Sequence, residues 1–322
     1  MQSSKNSFFN NSFTSINQIK SFSQIKYLFN RANFMADVVK KGKVYEPLKG
    51  KLISILFYQP STRTFTSFVS ASRRLGAYVV DIHGMKQYSS AVKGESLEDT
   101  IKSVNQTTAC NAIVLRHPDD NSSAIAQSVS PVPVINAGSG KSEHPTQALL
   151  DLYTIYSKFK KLDNLNVALV GDLKYGRTIK SLAKLLAISG KNNKLVFVSP
   201  QELRAPDSLI NSLKKTIKVK ETMDLNSVLK TSDVIYMTRV QKEWFEAQGK
   251  LDDYERLKLK YIMTRHMAKQ MKKKAMILHP LPRVGEILQE VDNDTRAYYF
   301  KQMRSGLYIR MALLESILLK KP

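Results

Sequence analysis

The sequence is poor in cysteine and has no long apolar run, and each shortage excludes a class of protein. Cys110 is the only cysteine among 322 residues, so no disulfide can form within the chain, and one thiol cannot build a cysteine-rich zinc site. We expect Cys110 to be a small buried residue at the start of a strand, in a protein of the reducing cytoplasm. No stretch approaches the roughly 20 apolar residues of a membrane-spanning helix, so no membrane partner is expected.

Acidic residues are also scarce. Lys and Arg total 50 against 27 for Asp and Glu, which gives a formal net charge of +23. Such an excess raises the question of nucleic acid as a partner. However, the basic residues are spread along the chain, the tight run at residues 272–274 is short, and no zinc-finger spacing, aromatic RNA-binding signature or basic heptad region is present. We therefore expect no nucleic-acid partner. A preference for small anionic substrates explains the charge equally well.

The first 35 residues are rich in Ser, Asn and Lys and contain no acidic residue, with Arg31 as their only arginine. Apolar residues recur at intervals of three and four from Ile16 onward, which predicts a first amphipathic helix. About a dozen residues before it are expected to form a loose lead. No organelle-targeting signal is assigned to this segment.

Short apolar runs alternate with segments of helical periodicity along the chain. The first run ends before Pro60, and the helix that follows is expected to end at Gly76 with a glycine C-terminal cap. The predicted strands comprise residues 52–57, 78–82, 112–115, 132–136, 167–170, 195–198, 217–220, 234–237 and 275–278. This alternation predicts an α/β fold of two domains, each a parallel sheet flanked by helices.

The domain boundary is placed near the flexible connector at residues 137–141. Residues 1–142 then form the first domain and residues 143–294 the second, with the active site expected in the cleft between them. A long final helix within about residues 295–322 is expected to pack back on the first domain. The glycine-bounded stretch at residues 84–94 is expected to be a mobile loop.

Polar and basic residues follow the predicted strands. They occur at residues 61–64, 116–118, 144–147, 171–178, 238–241 and 279–283, and every group except 144–147 contains an arginine. A single arginine of this kind is usually solvated, but ligands of parallel sheets bind at these strand ends. Residues 61–64 also begin a helix, where unpaired N–H groups and the helix dipole favour phosphate. The sequence therefore predicts an anion-binding site with no metal cluster, and the loop at 171–176 matches no nucleotide-binding motif.

Several of these segments resemble one known family. Phe-Tyr-Gln-Pro-Ser-Thr-Arg-Thr at 57–64, Arg-His-Pro at 116–118, His-Pro-Thr-Gln-Ala-Leu-Leu-Asp-Leu-Tyr at 144–153, residues 167–178 and His-Pro-Leu-Pro-Arg at 279–283 are similar to the catalytic chains of aspartate carbamoyltransferases. These belong to the aspartate/ornithine carbamoyltransferase superfamily. The resemblance extends from about residue 16 to residue 314. Two segments argue against the ornithine-specific members. Residues 279–282 read His-Pro-Leu-Pro where those enzymes resemble a His-Cys-Leu-Pro pattern, and residues 236–241 resemble the aspartate-binding stretch of the aspartate enzymes.

The resemblance implies transfer of the carbamoyl group of carbamoyl phosphate to L-aspartate, which gives N-carbamoyl-L-aspartate and phosphate in de novo pyrimidine (UMP) biosynthesis. It implies a homotrimer with shared active sites, possible regulatory chains, and no metal or organic cofactor.

The resemblance also assigns roles to individual residues. The carbamoyl phosphate site would comprise Ser61, Thr62, Arg63, Thr64, Arg116, His144, Gln147 and the backbone carbonyls of Leu281 and Pro282. The aspartate site would comprise Lys93, Arg177, Arg239 and Gln241. Ser89 and Lys93 would reach in from a neighbouring subunit. Catalytic contacts are expected from Arg63, Thr64, Arg116, His144 and Lys93.

Three positions depart from the pattern of the family. Gln59 replaces a glutamate, Trp244 replaces an arginine seen in some members, and Gly285 stands where an aspartate is often found. We expect weaker aspartate binding or altered cooperativity from the first two, which would be linked as a lost pair of opposite charges. Two alternatives stay open: a carbamoyltransferase with shifted amine specificity, against which Arg239 and Gln241 argue, and an inactive basic binding protein on the same fold.

Overall fold

A computed structural model of the chain describes residues 6–85 and 90–321. The chain divides into two compact units, one of Met1–Tyr153 with Met303–Pro322, and one of Thr154–Gln302. The division falls inside a helix, later in the chain than the boundary expected from the sequence. The limits 1–142 and 143–294 stay a prediction.

The first unit contains a parallel sheet of four strands, ordered β2-β1-β3-β4. The strands are β1 (Leu52–Phe57), β2 (Tyr78–His83), β3 (Ala112–His117) and β4 (Val134–Ser139). Its helices are α1 (Phe22–Lys40), α2 (Thr62–Arg74), α3 (Leu97–Thr108), α4 (Ser122–Val129) and α5 (Pro145–Phe159), which runs on into the second unit. The central strand β1 is almost wholly buried, as expected for an apolar run in a parallel sheet. Gly76 follows α2 with a φ of +80°, so the expected glycine cap is confirmed.

The second unit contains a parallel sheet of five strands, ordered β7-β6-β5-β8-β9. The strands are β5 (Asn166–Val170), β6 (Lys194–Val198), β7 (Lys218–Thr222), β8 (Val234–Met237) and β9 (Met276–Leu278). Its helices are α6 (Arg177–Ser189), α7 (Asp207–Lys214), α8 (Asn226–Leu229), α9 (Lys242–Glu246), α10 (Leu251–Leu257) and α11 (Arg265–Gln270). The last helix, α12 (Tyr299–Leu318), ends in the first unit. The α/β fold with a helix-flanked parallel sheet in each unit is confirmed.

The N-terminal segment is packed, so the expected loose lead is wrong from residue 6 onward. Phe8 and Phe13 are buried, and the Phe13 N–H donates to the carbonyl oxygen of Val134 at 2.8 Å. Phe13 thereby extends the edge of the first sheet beyond β4. A 3-10 turn at Ile16–Gln18 precedes α1, which begins at Phe22 rather than at Ile16. The helical spacing was correct, but the two phenylalanines before it gave no periodic signal.

Three smaller points concern the single cysteine, membrane-spanning helices and the short helices of the second unit. Cys110 is buried, as expected. Among the described residues, no helix is both long enough and apolar enough to cross a membrane. The short helices α9, α10 and α11 were not expected, because segments of five to seven residues show too little periodicity to predict a helix.

Candidate active site

Each sheet has a point where its strand order reverses, and several of the candidate residues follow the strands beside these points. In the first unit the chain runs from β1 to β2 on one side and then to β3 on the other, so β1 and β3 are neighbours. In the second unit β5 and β8 are neighbours for the same reason. Loops that leave such a pair in opposite directions open a crevice at the carboxyl ends of the strands, where ligands bind.

The loop after β1 leads to the N-terminus of α2. Ser61 occupies the N-cap position, but within the described chain its side chain makes no capping hydrogen bond. Phe65 donates its N–H to the carbonyl oxygen of Ser61 at 3.0 Å, whereas the N–H groups of the preceding turn have no intrahelical acceptor. Thr62 and Arg63 are exposed and Thr64 is buried. This helix end can therefore bind an anion through backbone N–H groups, hydroxyls and a guanidinium.

Thr64 and His144 come together although they lie far apart in the sequence. The Thr64 Oγ1 atom is 3.4 Å from His144 Nε2, and both residues are buried. Arg116 lies in β3 and donates from Nη1 to the carbonyl oxygen of Ala137 at 3.2 Å. A hydroxyl, an imidazole and a guanidinium are thus held at the carboxyl edge of one sheet. Such groups can stabilise a carbonyl oxygen that gains negative charge.

Gln147 lies in the first turn of α5 and is oriented by Asp151. The Gln147 Nε2 atom donates to Asp151 Oδ1 at 2.9 Å, and both side chains are buried. Because the amide nitrogen is directed to the carboxylate, the amide oxygen remains as an acceptor for an external N–H group. Sequence reasoning missed Asp151, although its position four residues after Gln147 on a helix could have indicated the contact.

Within the described residues, Lys93 is not joined to the other candidates. Lys93 is exposed at the end of a 3-10 helix, Ser90–Lys93, so part of the expected mobile loop is helical. In the described part of the chain, no hydrogen bond or ion pair joins Lys93 to a strand-end residue. Ser89 lies outside the described residues. Their contribution to a neighbouring subunit's site stays a prediction.

Asp172 joins the two loops at the reversal point of the second sheet. It is fully buried, and its Oδ1 accepts the N–H of Tyr175 at 2.9 Å while its Oδ2 accepts the N–H of Gln241 at 3.4 Å. Burial raises the pKa of the Asp172 carboxyl to about 6, against the opposing effect of these hydrogen bonds. Asp172 therefore fixes the loop before Arg177 to the loop that carries Gln241. Sequence reasoning missed it, although an acid directly after a strand was a visible signal.

Arg239 follows β8 and is paired with Glu243 one helical turn later. Its Nη1 donates to Glu243 Oε2 at 3.0 Å, and Nη2 contacts the other carboxylate oxygen. Burial raises the pKa of the Glu243 carboxyl, but the hydrogen bond from Arg239 and the charges of Arg239 and Arg177 outweigh it, so this pKa lies below its ordinary value. Arg177 begins α6. The two predicted aspartate-binding arginines thus share one acidic neighbour.

Gln241 is the N-cap residue of α9. Its Oε1 accepts a hydrogen bond from the indole Nε1 of Trp244 at 3.3 Å. Trp244 was noted in the sequence as a departure from the family, but its contact with Gln241 was not expected.

A buried histidine and glutamate brace the loop that carries Leu281 and Pro282. The N–H of Leu281 donates to His279 Nδ1 at 2.8 Å, so the ring proton lies on Nε2, which is 2.7 Å from Glu286 Oε1. Burial raises the pKa of the Glu286 carboxyl, but the hydrogen bond with His279 outweighs it and holds this pKa below its ordinary value. The peptide bond between Leu281 and Pro282 is cis.

Arg283 was expected among the anion-binding arginines, and it pairs with Asp292 in the same way that Arg239 pairs with Glu243. Its Nη2 donates to Asp292 Oδ2 at 2.6 Å, and Nη1 contacts the other oxygen of the same carboxylate. The guanidinium of Arg283 thus contacts both carboxylate oxygens of Asp292, and a role for it in anion binding stays a prediction. Nearby, Gly285 has a φ of +118°, a backbone conformation that glycine adopts readily and aspartate does not.

Two family models match the chain. One, described as "Aspartate/ornithine carbamoyltransferase, carbamoyl-P binding domain", matches residues 11–157. The other, described as "Aspartate/ornithine carbamoyltransferase, Asp/Orn binding domain", matches residues 163–317. Together they cover most of the chain.

Individual relatives agree with this match. The aspartate carbamoyltransferase catalytic subunit of Picrophilus torridus is 44% identical over 96% of this chain and 98% of its own length. The chloroplastic aspartate carbamoyltransferase of Arabidopsis thaliana is 47% identical over 90% of this chain and 74% of its own length. The aspartate transcarbamoylase of Trypanosoma cruzi in complex with carbamoyl phosphate has a TM-score of 0.91 and 37% identity, with 98% of each chain covered. The chain belongs to the aspartate/ornithine carbamoyltransferase family.

Proposed function

We propose that the protein is an aspartate carbamoyltransferase, which transfers the carbamoyl group of carbamoyl phosphate to L-aspartate in pyrimidine biosynthesis. The observation that carries the proposal is the α2 N-terminus at residues 61–64, where Thr64 lies 3.4 Å from His144 beside the reversal point of the first sheet. Structures of the Trypanosoma cruzi relative hold carbamoyl phosphate and aspartate together, which supports the same substrates here.

In this mechanism the phosphate group binds the N-terminus of α2 through Ser61, Thr62, Arg63 and Thr64. Thr64, Arg116 and His144 polarise the carbamoyl carbonyl and stabilise the negative oxygen of the tetrahedral intermediate. The Gln147 amide oxygen accepts from the carbamoyl NH₂ group, together with the backbone carbonyls of Leu281 and Pro282. No side chain needs to form a covalent bond to the substrate.

The second substrate would bind through its two carboxylates to Arg177, Arg239 and Gln241, because guanidinium and amide donors suit carboxylate oxygens. Its amine then attacks the carbamoyl carbon, the new C–N bond forms, and the C–O bond to phosphate breaks. The departing phosphate takes the amine proton. Orientation of the two anions and stabilisation of charge supply most of the acceleration.

The assembly and location belong to the same proposal. We infer a homotrimer in which Ser89 and Lys93 complete a neighbour's site, and an association with regulatory chains is suggested by relatives named catalytic subunits. We place the enzyme in the cytoplasm, with the single buried cysteine as support, whereas the plant relatives are named chloroplastic.

The test is formation of carbamoyl-aspartate by the purified chain, with Arg63→Ala as the diagnostic variant. Loss of a charged donor at the phosphate site is expected to lower kcat by roughly 100-fold or more. Arg265→Ala is the matched control, because it also removes an exposed arginine from the first turn of a helix, α11. Undiminished activity of Arg63→Ala would refute the phosphate assignment.

A shifted amine specificity is the second candidate, and the departures at Gln59 and Trp244 are what favour it. The same assay with ornithine and other amines in place of aspartate distinguishes the two. Retention of Arg239 and Gln241 leads us to expect a clear preference for aspartate.

A further inference from the structure

Trp244 is the only tryptophan in the chain, and it contacts a residue assigned to the aspartate site. Its indole Nε1 donates to the Gln241 Oε1 atom at 3.3 Å. The backbone reinforces the pairing, since the Trp244 N–H donates to the carbonyl oxygen of Gln241 at 3.2 Å. Both contacts lie in the first turn of α9, so the indole is held beside the Gln241 amide.

The contact selects one of two orientations of the Gln241 amide. A glutamine side chain ends in an oxygen that only accepts and an NH₂ group that only donates, and only the NH₂ group can bind a carboxylate. An indole N–H can only donate, so it binds the amide oxygen and leaves the NH₂ group on the other side. Consistent with this, a hydrogen bond from the Gln241 side chain lowers the pKa of Asp172, so one N–H of the NH₂ group faces the Asp172 carboxylate and the second N–H can bind a substrate carboxylate.

The main chain at Trp244 is connected to the loop before Arg177 through Gln248. Gln248 Nε2 donates to the carbonyl oxygen of Trp244 at 2.9 Å and to the Tyr175 hydroxyl at 3.2 Å. Tyr175 also donates its N–H to Asp172. The turn that carries Gln241 and Trp244 is therefore linked through Gln248 and Tyr175 to the loop before Arg177.

We propose that Trp244 is a positioning residue for the amine substrate, one that fixes the Gln241 amide with its NH₂ group toward a substrate carboxylate. This rests on the proposed function for the identity of the substrate. The neutral indole takes a position where some members of the family carry an arginine, and it orients Gln241 without adding a charge.

The diagnostic variant is Trp244→Phe, which keeps an aromatic ring and removes the N–H donor. Loss of one such hydrogen bond is expected to raise the KM for aspartate about two- to tenfold, with the kcat and the KM for carbamoyl phosphate little changed. Glu246→Gln is the matched control, because it removes an exposed ion pair with Lys242 from the same helix. Its kinetic constants are expected to equal those of the wild type.

A second variant separates positioning from a general structural effect. If Trp244 acts through Gln241, then adding Trp244→Phe to a Gln241→Ala enzyme changes the KM for aspartate no further. An additive effect in the double variant, or an unchanged KM in a folded Trp244→Phe enzyme, overturns the proposal.

The fluorescence of the single tryptophan supplies a readout that does not depend on turnover. With carbamoyl phosphate present, titration with succinate, a dicarboxylate that lacks the amine, is expected to change the emission of the wild-type protein. A wild-type chain that forms no carbamoyl-aspartate overturns the proposed function. The positioning role is overturned separately, by emission that stays constant up to saturating succinate.

Discussion

Replacement of Asp172 by asparagine tests how far one buried carboxylate holds the second half of the site. Asp172 is fully buried and accepts the N–H groups of Tyr175 and Gln241 through different oxygens. Asparagine has the same shape but only one acceptor oxygen. Its oxygen can accept the N–H of Tyr175 or of Gln241 but not both, and its amide nitrogen then faces the N–H group that is left.

Two opposing contributions set the effect on stability. A hydrogen bond to a charged group contributes about 1.5–3 kcal/mol, and the 3.4 Å contact with Gln241 contributes less because it is long. Against this, burial raises the pKa of Asp172 from 3.8 to about 6, which makes the ionised form about 3 kcal/mol unfavourable at neutral pH. The free energy of unfolding of Asp172→Asn is therefore expected to lie within about 2 kcal/mol of the wild-type value at neutral pH.

The pH dependence distinguishes the variant more clearly. Between pH 3.8 and about 6 the folded protein binds more protons at Asp172 than the unfolded chain does. The wild-type free energy of unfolding therefore falls as the pH rises through this interval, and the variant lacks that fall. Urea unfolding of both proteins across the interval measures the difference. Parallel curves would show that Asp172 titrates at its ordinary value and refute the reasoning.

Activity supplies the functional half of the test. We expect the KM for aspartate of Asp172→Asn to be roughly tenfold higher at neutral pH, because the Gln241 loop loses part of its anchor. In the wild type the same KM is expected to rise as the pH falls below about 6, when the carboxyl gains a proton. A variant with the wild-type KM at every pH would show that the loops do not depend on Asp172.

Three further predictions follow from single contacts. Asp151→Asn is expected to raise the KM for carbamoyl phosphate about two- to tenfold without changing that for aspartate, because Gln147 loses its charged partner; equal changes in both constants would contradict this. Gly249→Ala is expected to lower the free energy of unfolding by roughly 1–2 kcal/mol, because Gly249 has a left-handed backbone with nothing within 4 Å of a Cβ. Gly171→Ala is expected to lower it more, because its Cβ would lie 2.4 Å from the Thr238 carbonyl oxygen. Urea unfolding of both variants measures the difference. Burial lowers the pKa of Lys158 from 10.5 to about 8, so between these pH values the folded state binds fewer protons than the unfolded chain. The free energy of unfolding of the wild type is therefore expected to rise relative to that of Lys158→Met as the pH rises through this interval. A difference between the two proteins that stays constant with pH would show that the pKa is not shifted.

The fold could be predicted because each central strand is a short apolar run with turn residues beyond it. β1 begins and ends where the sequence placed it, and β5 and β8 lie within a residue of their expected limits. The helices between β8 and β9 were missed because they are short and their apolar residues serve separate local contacts. Phe245 and Leu257, for example, join a small cluster around Val240.

The sequence predicts the donors of the candidate site but not the partners that orient them. Hydroxyls and arginines after several strands indicated an anion site, because parallel strands end at one edge. A sequence does not show which acid each arginine contacts: Arg239 pairs with Glu243, and Arg283 pairs with Asp292. For two of the missed acids the spacing carried a usable signal. Asp151 and Glu243 each lie four residues after the side chain that they contact.

The positions of these acids follow from the charge of the proposed substrates. Carbamoyl phosphate and aspartate are both anions, so an acid that faced them would repel them across a short distance. Each carboxylate instead contacts a donor: Asp151 binds Gln147, Asp172 binds the Gln241 backbone, and Glu243 binds Arg239. A chain with a net charge of +23 can thus use its few acids to orient donors. Where Gln241 needs a partner for its oxygen, an acid cannot serve because it has no proton to donate when ionised, and the neutral indole of Trp244 fills that position.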